Sequence, residues 1–367
     1  MGIEIDSLLA AAVKNGGSDL HLRVGSPPRL RIRGHLRVLG SYVLTSDDTL
    51  GLMRSITSDK HQAELQELGA ADFSIAYQDI ARFRVAVFRH QGVIGMVLRQ
   101  IPNTILTFEQ MGIPLIVKEL CMRPRGMVLV TGPTGSGKTT TLCSMIHYIN
   151  EMRQDHIITI EDPIEFVHQH DKCVITQREL GMDTPSFSEA LRRALRQDPD
   201  IILVGEMRDL ETIDAAVTAA ETGHLVFGTL HTTSASKTIN RLIDAFPTQQ
   251  QEQIRAQLSV SLLAVLCQTL LPTLDGKGRK AAYELMICTP AIQNLIRENE
   301  TFKMDSIIQT SAKMGMVLLD DFLFSLYVSK QVRRDEAIQK ANYPDQLELK
   351  IDHYNANLEA ERARTRK

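Results

Sequence analysis

The chain has 367 residues, of which 43% are hydrophobic and 23% are charged, a composition typical of a folded protein with enough apolar material for two domains. Its net charge of -3 at pH 7 excludes a global electrostatic attraction to nucleic acid. No stretch approaches the roughly 18 to 20 apolar residues that cross a bilayer, and the N-terminus lacks the cationic start of a secretory signal, so we expect a cytoplasmic protein.

The first 100 residues have the pattern of a small α+β domain. Apolar residues recur at helical spacing before Gly16, which predicts an amphipathic helix at the start of the chain. Alternating apolar stretches flank a turn at 25–28, and two more flank Gly92, so each pair predicts a β-hairpin. A helical stretch at 46–68 separates the two hairpins. We therefore expect residues 1–100 to form one domain.

A second domain is predicted after a connecting segment. Residues 101–114 contain two prolines and lose clear periodicity, so we place the interdomain linker there. The domain at 115–345 contains four near-continuous apolar runs that precede helical patterns, namely MVLVTG, HIITIED, DIILVGE and HLVFGTLH. Strands of this kind are buried on both faces of a parallel sheet. Beyond 232 the pattern is mostly helical, and 346–367 is predicted to be a charged, solvated tail.

A phosphate-binding loop is predicted at 132–139. The sequence GPTGSGKT there matches G-x-x-x-x-G-K-T, follows a predicted strand and leads into a helix starting near Thr140. Its glycines let main-chain N–H groups converge on phosphate oxygens, while Lys138 reaches the β- and γ-phosphates and the Thr139 hydroxyl can bind Mg²⁺. A purely structural turn would not need Lys-Thr after the last glycine. The predicted nucleotide-binding residues are Gly132, Pro133, Thr134, Gly135, Ser136, Gly137, Lys138, Thr139 and Thr140.

Two acidic segments follow predicted strands. Glu206 ends the run DPDIILVGE, so we expect it to point at the γ-phosphate and to deprotonate an attacking water. Glu161, Asp162 and Glu165 lie in TIEDPIEF at another strand end, where they could hold Mg²⁺ through water or place the nucleophile. The spacing does not decide which of these three faces the site. The competing interpretations are a solvent-exposed acid at 206 and a helix-start acid before residue 163.

Histidines and arginines supply further candidates. His224 and His231 lie at the two ends of a predicted buried strand, an arrangement that could sense the γ-phosphate but is more often structural. Arg82 and Arg84 lie on one face of a predicted strand, and Arg99 ends its partner strand. Such a row usually forms a solvated face. Alternatively, it neutralises phosphate charge on a nucleotide held by the other domain or by a neighbouring subunit.

The motifs together resemble a known family. GPTGSGKTTT, TIEDPIEF, DPDIILVGEMRD and AETGHLVFGTLHT are similar to the Walker A, Asp box, Walker B and His box of the secretion-superfamily ATPases, and most of all to the PilT/PilU branch that retracts type IV pili. The resemblance implies an α/β fold, in which a small PAS-like α+β domain precedes a RecA-like P-loop NTPase domain. It also implies a hexamer that hydrolyses ATP at interdomain and intersubunit sites. The catalytic residues that it implies are Glu206, Glu165, His231, His224, Arg82, Arg84 and Arg99. It also implies that Thr139 and Glu165 bind Mg²⁺.

The resemblance also implies partners and a location. The expected partners are the other subunits of a homohexamer, the inner-membrane platform protein PilC and a paralogous retraction ATPase, with no nucleic acid. The protein would act at the cytoplasmic face of the inner membrane and support twitching motility. No four-cysteine zinc motif is present, which favours retraction over assembly. Gln293, where the retraction family has Arg, instead favours an accessory PilU-like role. A nucleotide-gated regulatory module without steady turnover and a DNA-translocating ring are two further functions that the motifs allow.

Overall fold

The computed structural model describes residues 3–32, 34–78, 80–101 and 105–365. The chain divides into two compact units. The first consists of Met1–Ile105 and Pro163–Val167, and the second of Leu106–Asp162 and His168–Lys367. Residues 102–104 of the predicted linker lie outside the described residues, as do 366 and 367 of the predicted tail. The predicted domain boundaries stay predictions.

The first unit is built on an antiparallel sheet. Its strands are β1 (Asp19–Arg23), β2 (Arg29–Ile32), β3 (His35–Val38), β4 (Ala70–Tyr77), β5 (Ala81–His90) and β6 (Val93–Ile101). Its helices are α1 (Ile5–Lys14), α2 (Ser46–Ile56) and α3 (Asp59–Leu68). The sheet order is β3-β2-β1-β6-β5-β4, and each neighbouring pair is antiparallel. The two predicted hairpins are confirmed as β1–β2 and β5–β6, whereas β3 and β4 were not expected.

The predicted helical stretch at 46–68 is two helices rather than one. Thr57 and Ser58 separate α2 from α3, and the Ser58 hydroxyl accepts a hydrogen bond from the His61 N–H. A hydroxyl in this position satisfies an N–H group that has no partner within the helix. Ser58 therefore starts a new helix at the point where the apolar periodicity alone suggested continuity.

The second unit is built on a sheet with helices on both faces. Its strands are β7 (Gly126–Thr131), β8 (His156–Glu161), β9 (Val174–Glu179), β10 (Ile201–Val204), β11 (Leu225–Leu230), β12 (Leu262–Pro272) and β13 (Arg279–Ile287). Its helices are α4 (Phe108–Met111), α5 (Ile116–Cys121), α6 (Lys138–Met152), α7 (Phe187–Ala194), α8 (Leu210–Glu221), α9 (Ala235–Asp244), α10 (Gln251–Ser261), α11 (Pro290–Arg297), α12 (Met304–Thr310), α13 (Leu319–Val328), α14 (Arg334–Lys340) and α15 (Pro344–Thr365). No helix in the described part of the chain is long and apolar enough to cross a membrane.

The four predicted core strands form the parallel centre of this sheet. The order is β13-β12-β7-β11-β10-β8-β9, and β7, β11, β10 and β8 are parallel neighbours. Every residue of β7, β10 and β11 is buried, because one hydrophobic cluster packs on each face of the sheet. The prediction of a doubly covered parallel sheet is confirmed. All four strands end at one edge, which we call the carboxyl edge.

The mostly helical pattern expected beyond residue 232 is wrong over β12 and β13. These two strands form a long antiparallel hairpin, and β12 also pairs in parallel with β7. The β12 sequence LLAVLCQTLLP is a continuous apolar run, and such a run does not distinguish a buried strand from a buried helix. Pairing with β7 makes this run a strand rather than a helix, because the pairing buries the run and provides hydrogen-bond partners for its main-chain groups.

The charged tail predicted from residue 346 is a helix as far as the structure describes it. Helix α15 covers Pro344–Thr365. Leu347 and Ile351, four residues apart on one face, are buried in a small cluster with residues of α13 and α14. Arg334 adds hydrogen bonds to Glu348 and Asp352, each at 2.8 Å. This local packing is the reason the segment is ordered despite its charge.

Candidate active site

The loop between β7 and α6 carries the predicted phosphate-binding sequence. Gly132, Gly135 and Gly137 have φ angles of 143°, 78° and 90°, in the left-handed region that glycine tolerates. A Cβ atom on Gly132 would lie 2.2 Å from the main-chain oxygen of Gln268 on β12. The loop therefore approaches β12 too closely for any other residue at this position.

The end of the loop places a cation at the start of a helix. Helix α6 begins at Lys138, whose ammonium group donates hydrogen bonds to the main-chain oxygens of Gly132 at 2.8 Å and Pro133 at 3.2 Å. Thr139 and Thr140 follow in the first turn and are half-buried. The first N–H groups of a helix have no partner within the helix, and the helix dipole adds positive charge there. Together these groups suit a phosphate.

A carboxylate lies at the same carboxyl edge. Glu206 follows β10 by two positions, and His231 follows β11 directly. Because Val204 lies opposite Gly228 in these neighbouring parallel strands, both side chains leave the sheet at one place. Nε2 of His231 lies 2.8 Å from Oε1 of Glu206, and Nε of Arg208 donates a hydrogen bond to the same oxygen. An imidazole and a guanidinium thus hold the carboxylate.

The surroundings of Glu206 keep it ionised at neutral pH. Burial acts to raise its pKa, but the hydrogen bond from Arg208 and the charges of His231 and Arg208 outweigh burial and bring the pKa below its ordinary value. The side chain is 19% exposed, so water can reach it. An ionised carboxylate in contact with water can orient that water and accept its proton.

The loop and the carboxylate are separated by one strand. β11 lies between β7 and β10 in the sheet. Since neighbouring strands lie about 4.8 Å apart, the ends of β7 and β10 are about 10 Å apart. This separation leaves room for a terminal phosphate and an attacking water between the loop and Glu206. His231, at the end of β11, borders that space.

Of the three acids in TIEDPIEF, Glu161 lies at this edge. It ends β8, the neighbour of β10, and is buried. Thr159 Oγ1 and Gln177 Nε2 donate hydrogen bonds to its Oε1 at 2.7 and 3.1 Å. Asp162 follows and is exposed. Glu165 belongs to the first unit, and its predicted role stays a prediction.

The order of loop, strand-end acids and strand-end histidine agrees with a known family. The family model described as "Type II/IV secretion system protein" matches residues 3–321. The chain belongs to this family. The recognition of a secretion ATPase from the four sequence motifs is therefore confirmed.

Individual relatives of this secretion ATPase cover nearly its whole length. It is 51% identical over 343 residues to the type IV pilus retractation ATPase PilT of Pseudomonas aeruginosa, covering 94% of this chain and 99% of that protein. It is 39% identical over 349 residues to the type IV pilus ATPase PilU of the same organism, covering 95% and 91%. A crystal structure of the pilus retraction motor PilT with bound ADP matches with a TM-score of 0.89 at 48% identity, covering 94% and 99%. The chain is therefore an ATPase, and the predicted fold, an N-terminal domain followed by a RecA-like P-loop domain, is confirmed.

The structure of this secretion ATPase does not bring His224 to the carboxyl edge. His224 precedes β11, and its Nδ1 lies 3.0 Å from the main-chain oxygen of Ala219. β11 has six residues, so at about 3.3 Å per residue His224 is about 20 Å from the end of the strand where His231 lies. His224 and His231 thus lie at opposite edges of the sheet, as their positions at the two ends of the strand predicted, and the predicted catalytic role of His224 stays a prediction. A strand presents its two ends to opposite edges of the sheet.

The three arginines of the first unit differ in their partners. Arg82 and Arg84 lie on the polar face of β5, and β6 places Arg99 opposite Arg84. Arg82 Nη2 donates to Ser74 Oγ at 2.9 Å, and Arg99 Nε to Asp19 Oδ1 at 2.8 Å. Arg84 is exposed, and its side chain makes no hydrogen bond or ion pair with another described residue. Its guanidinium is available to a ligand, and a contact of the three with nucleotide stays a prediction.

Two residues that contact the site were not predicted from the sequence of this secretion ATPase. Arg208 binds Glu206 from two positions away. Gln268 on β12 binds the main chain of the phosphate loop at Ser136. The signal for Gln268 was present, because a single amide in an otherwise apolar strand is a buried polar group that needs hydrogen-bond partners.

Proposed function

We propose that this ATPase powers the retraction of type IV pili, using ATP hydrolysed between the loop at 132–139 and Glu206. The observation that carries the proposal is the 51% identity to PilT over nearly the whole of both chains, against 39% to PilU. The geometry supports the chemical half of the proposal, because a phosphate-binding loop and an ionised acid lie at one edge of a rigid sheet.

Each residue of the site has a separate role in the proposed hydrolysis of ATP. ATP places its phosphates in the loop, and Lys138 exchanges the main-chain oxygens of Gly132 and Pro133 for phosphate oxygens. A water between the γ-phosphorus and Glu206 attacks the phosphorus, the bond to the bridging oxygen breaks, and ADP is the leaving group. Glu206 accepts the proton that the water loses, while His231 and Arg208 fix the carboxylate.

A magnesium ion fits the start of α6. No cluster of three or more His, Cys, Asp or Glu side chains that could hold a metal occurs among the described residues. Mg²⁺ in phosphate sites commonly has only one or two protein ligands and takes its other ligands from phosphates and water. The predicted protein ligands are the hydroxyl of Thr139, in the first turn of α6, and Glu165, which the family resemblance implies. When bound, the ion neutralises charge on the phosphates.

The family resemblance supports a proposal for the assembly. We infer a homohexamer in which Arg82, Arg84 and Arg99 of the first unit meet nucleotide held by the second unit of the same or a neighbouring subunit. The ring then acts on the platform protein PilC at the cytoplasmic face of the inner membrane, together with a paralogous retraction ATPase and without nucleic acid. Arg84 supports this step, since its guanidinium is exposed.

Phosphate release tests whether the protein hydrolyses ATP as proposed, and pilus retraction tests its biological role. Phosphate release should fall by about 10²- to 10⁴-fold in Glu206→Gln, while nucleotide affinity stays near that of the wild type, because the amide keeps the shape and loses the base. Glu252→Gln, on the exposed face of α10, is the matched control and should retain full activity. Equal turnover by wild type and Glu206→Gln would favour the nucleotide-gated regulatory module instead.

Pilus retraction tests the biological half. In a strain where this protein is the single retraction-type ATPase, wild type should restore retraction and twitching motility, and Glu206→Gln should not. Intact phosphate release without retraction would instead assign the accessory PilU-like role. Gln293 on α11 is the observation that favours this second candidate, since the retraction family has Arg there.

A further inference from the structure

One side chain outside the predicted motifs joins β12 to the phosphate loop. Gln268 is 3% exposed, and its Nε2 donates a hydrogen bond to the main-chain oxygen of Ser136 at 2.8 Å. Its Oε1 accepts a hydrogen bond from Thr141 Oγ1, also at 2.8 Å. Ser136 and Thr141 are themselves buried. The amide thus connects the last turn of the loop with the first turn of α6.

The chemistry of the partners fixes the direction of this amide. The oxygen of Ser136 can only accept, so it requires the NH₂ end of Gln268. The carbonyl end of Gln268 is then left for Thr141, whose hydroxyl donates. Glutamine is therefore the residue that satisfies both neighbours with a neutral group. If an apolar side chain replaced Gln268, the Ser136 oxygen and the Thr141 hydroxyl would both be buried polar groups that have lost their hydrogen bond to this amide.

The hydrogen bond to Ser136 also controls the next N–H group. The oxygen of Ser136 and the N–H of Gly137 belong to one planar trans peptide, in which C=O and N–H point in opposite directions. Holding the oxygen toward β12 therefore turns the Gly137 N–H away from β12. The main chain of Gln268 reaches the other end of the loop as well, since its oxygen would lie 2.2 Å from a Cβ atom on Gly132.

We propose that Gln268 is a positioning residue for nucleotide binding: without touching the nucleotide, it aims the Gly137 N–H at the phosphates. The neighbouring pair supports a close fit between the strands, because Thr131 Oγ1 donates to Cys267 Sγ at 3.0 Å. The inference rests on the loop at 132–139 being the ATP site, as in the proposed function. It does not depend on pilus retraction.

The test compares KM and kcat for ATP, and the affinity for fluorescent ADP, across a small set of variants. Gln268→Met keeps the volume and removes both hydrogen bonds, so KM and the ADP dissociation constant should rise about tenfold, with kcat within about threefold of wild type. Thr141→Val removes the hydrogen bond to Oε1 alone and should raise KM by less. Thr269→Val, at the next position of β12, is the matched control and should leave KM unchanged.

Gln268→Glu gives a readout that a merely structural role would not produce. Its carboxylate repels the Ser136 oxygen when ionised, whereas its protonated form can donate a hydrogen bond to that oxygen. The ratio of variant to wild-type KM should therefore fall as the pH is lowered from 8.5 to 6, because burial favours the protonated form. The ratio should stay flat for Thr141→Val.

The outcomes separate this inference from the proposed function. If the wild type binds no ADP, the nucleotide site itself fails. If the wild type binds and Gln268→Met has an unchanged KM and ADP affinity, or loses kcat alone, the positioning role is overturned. Should Gln268→Met not fold, the pH trend in Gln268→Glu decides, and a flat KM ratio there overturns the role as well.

Discussion

Replacing Glu284 by Gln should make the second unit progressively more stable relative to wild type as the pH rises from 4.5 to 8. Glu284, on β13, is 1% exposed. Burial raises its pKa to about 7, although the N–H groups of Ala235 and Leu319 donate to its two oxygens at 2.6 and 3.3 Å. The charges of Asp305 and Asp320 act in the same direction as burial.

The sign and size of the effect follow from proton uptake on folding. In the unfolded chain a glutamate has its ordinary pKa of 4.5 and is ionised above that pH, whereas folded Glu284, with a pKa of about 7, keeps its proton up to about pH 7. The folded state therefore binds more protons, and the free energy of unfolding falls as the pH rises through this window. At 1.36 kcal/mol per pH unit, the interval from 4.5 to about 7 corresponds to about 3 kcal/mol, lost in full above pH 7.

Thermal unfolding between pH 5 and pH 8 measures this contribution. The difference between the thermal unfolding midpoints of Glu284→Gln and wild type, variant minus wild type, should increase by about 6 °C from pH 5 to pH 8 at fixed protein concentration. The amide also loses one acceptor, which adds a constant offset, so the trend with pH is the readout. Glu298→Gln, an exposed replacement after α11, should show no trend. A difference for Glu284→Gln that is flat or decreases with pH would refute the reasoning.

Three further predictions concern the carboxyl edge and the first unit. Lys138→Ala should reduce kcat/KM by an amount on the order of 2 to 4 kcal/mol and weaken ATP binding, because it removes the cation of the loop; unchanged binding would contradict its role. Arg208→Ala should raise the pKa of Glu206, because it removes the hydrogen bond that does most to offset the effect of burial. The acid limb of the plot of kcat/KM against pH should therefore move to higher pH. An acid limb at the wild-type position would show that another group titrates. Arg84→Ala should lower kcat by about 10³-fold with little change in ADP affinity, whereas Arg89→Ala on the same strand should not; equal losses in kcat and affinity would exclude a transition-state role.

The parts of the site that could be predicted are those written in local sequence. The loop at 132–139 was predictable because its glycines, cation and hydroxyl are consecutive and the strand and helix around it have clear patterns. Glu206 was predictable as a strand-end acid. Its contact with His231 was not, because it depends on β10 and β11 being neighbours in the sheet. Spacing along the chain carries no direct information on that order.

The errors over β12 and α15 share one physical cause, which is packing between separate elements of the fold. β12 contains no alternation from which a strand could be recognised, and its pairing with β7 joins residues such as Cys267 and Thr131. Gln268 is a site neighbour through the same pairing. α15 is charged and low in apolar content, yet Leu347 and Ile351 are enough to dock it on α13 and α14. Burial against another element overrides local propensity in both cases.

The position of Glu206 is set by the sheet itself, even though the residue lies beyond the end of β10. The N–H before it, of Gly205, donates to the oxygen of Ile160 in β8 at 2.7 Å, and the N–H after it, of Met207, donates to the oxygen of Thr229 in β11 at 3.0 Å. Hydrogen bonds to both neighbouring strands thus bracket the acid. Since β11 also pairs with β7, the carboxylate and the phosphate loop belong to one hydrogen-bonded framework. A displacement of about 1 Å between a base and its reacting phosphate can cost about a hundredfold in rate, so we expect this framework to hold Glu206, the base that we propose, in position before ATP binds.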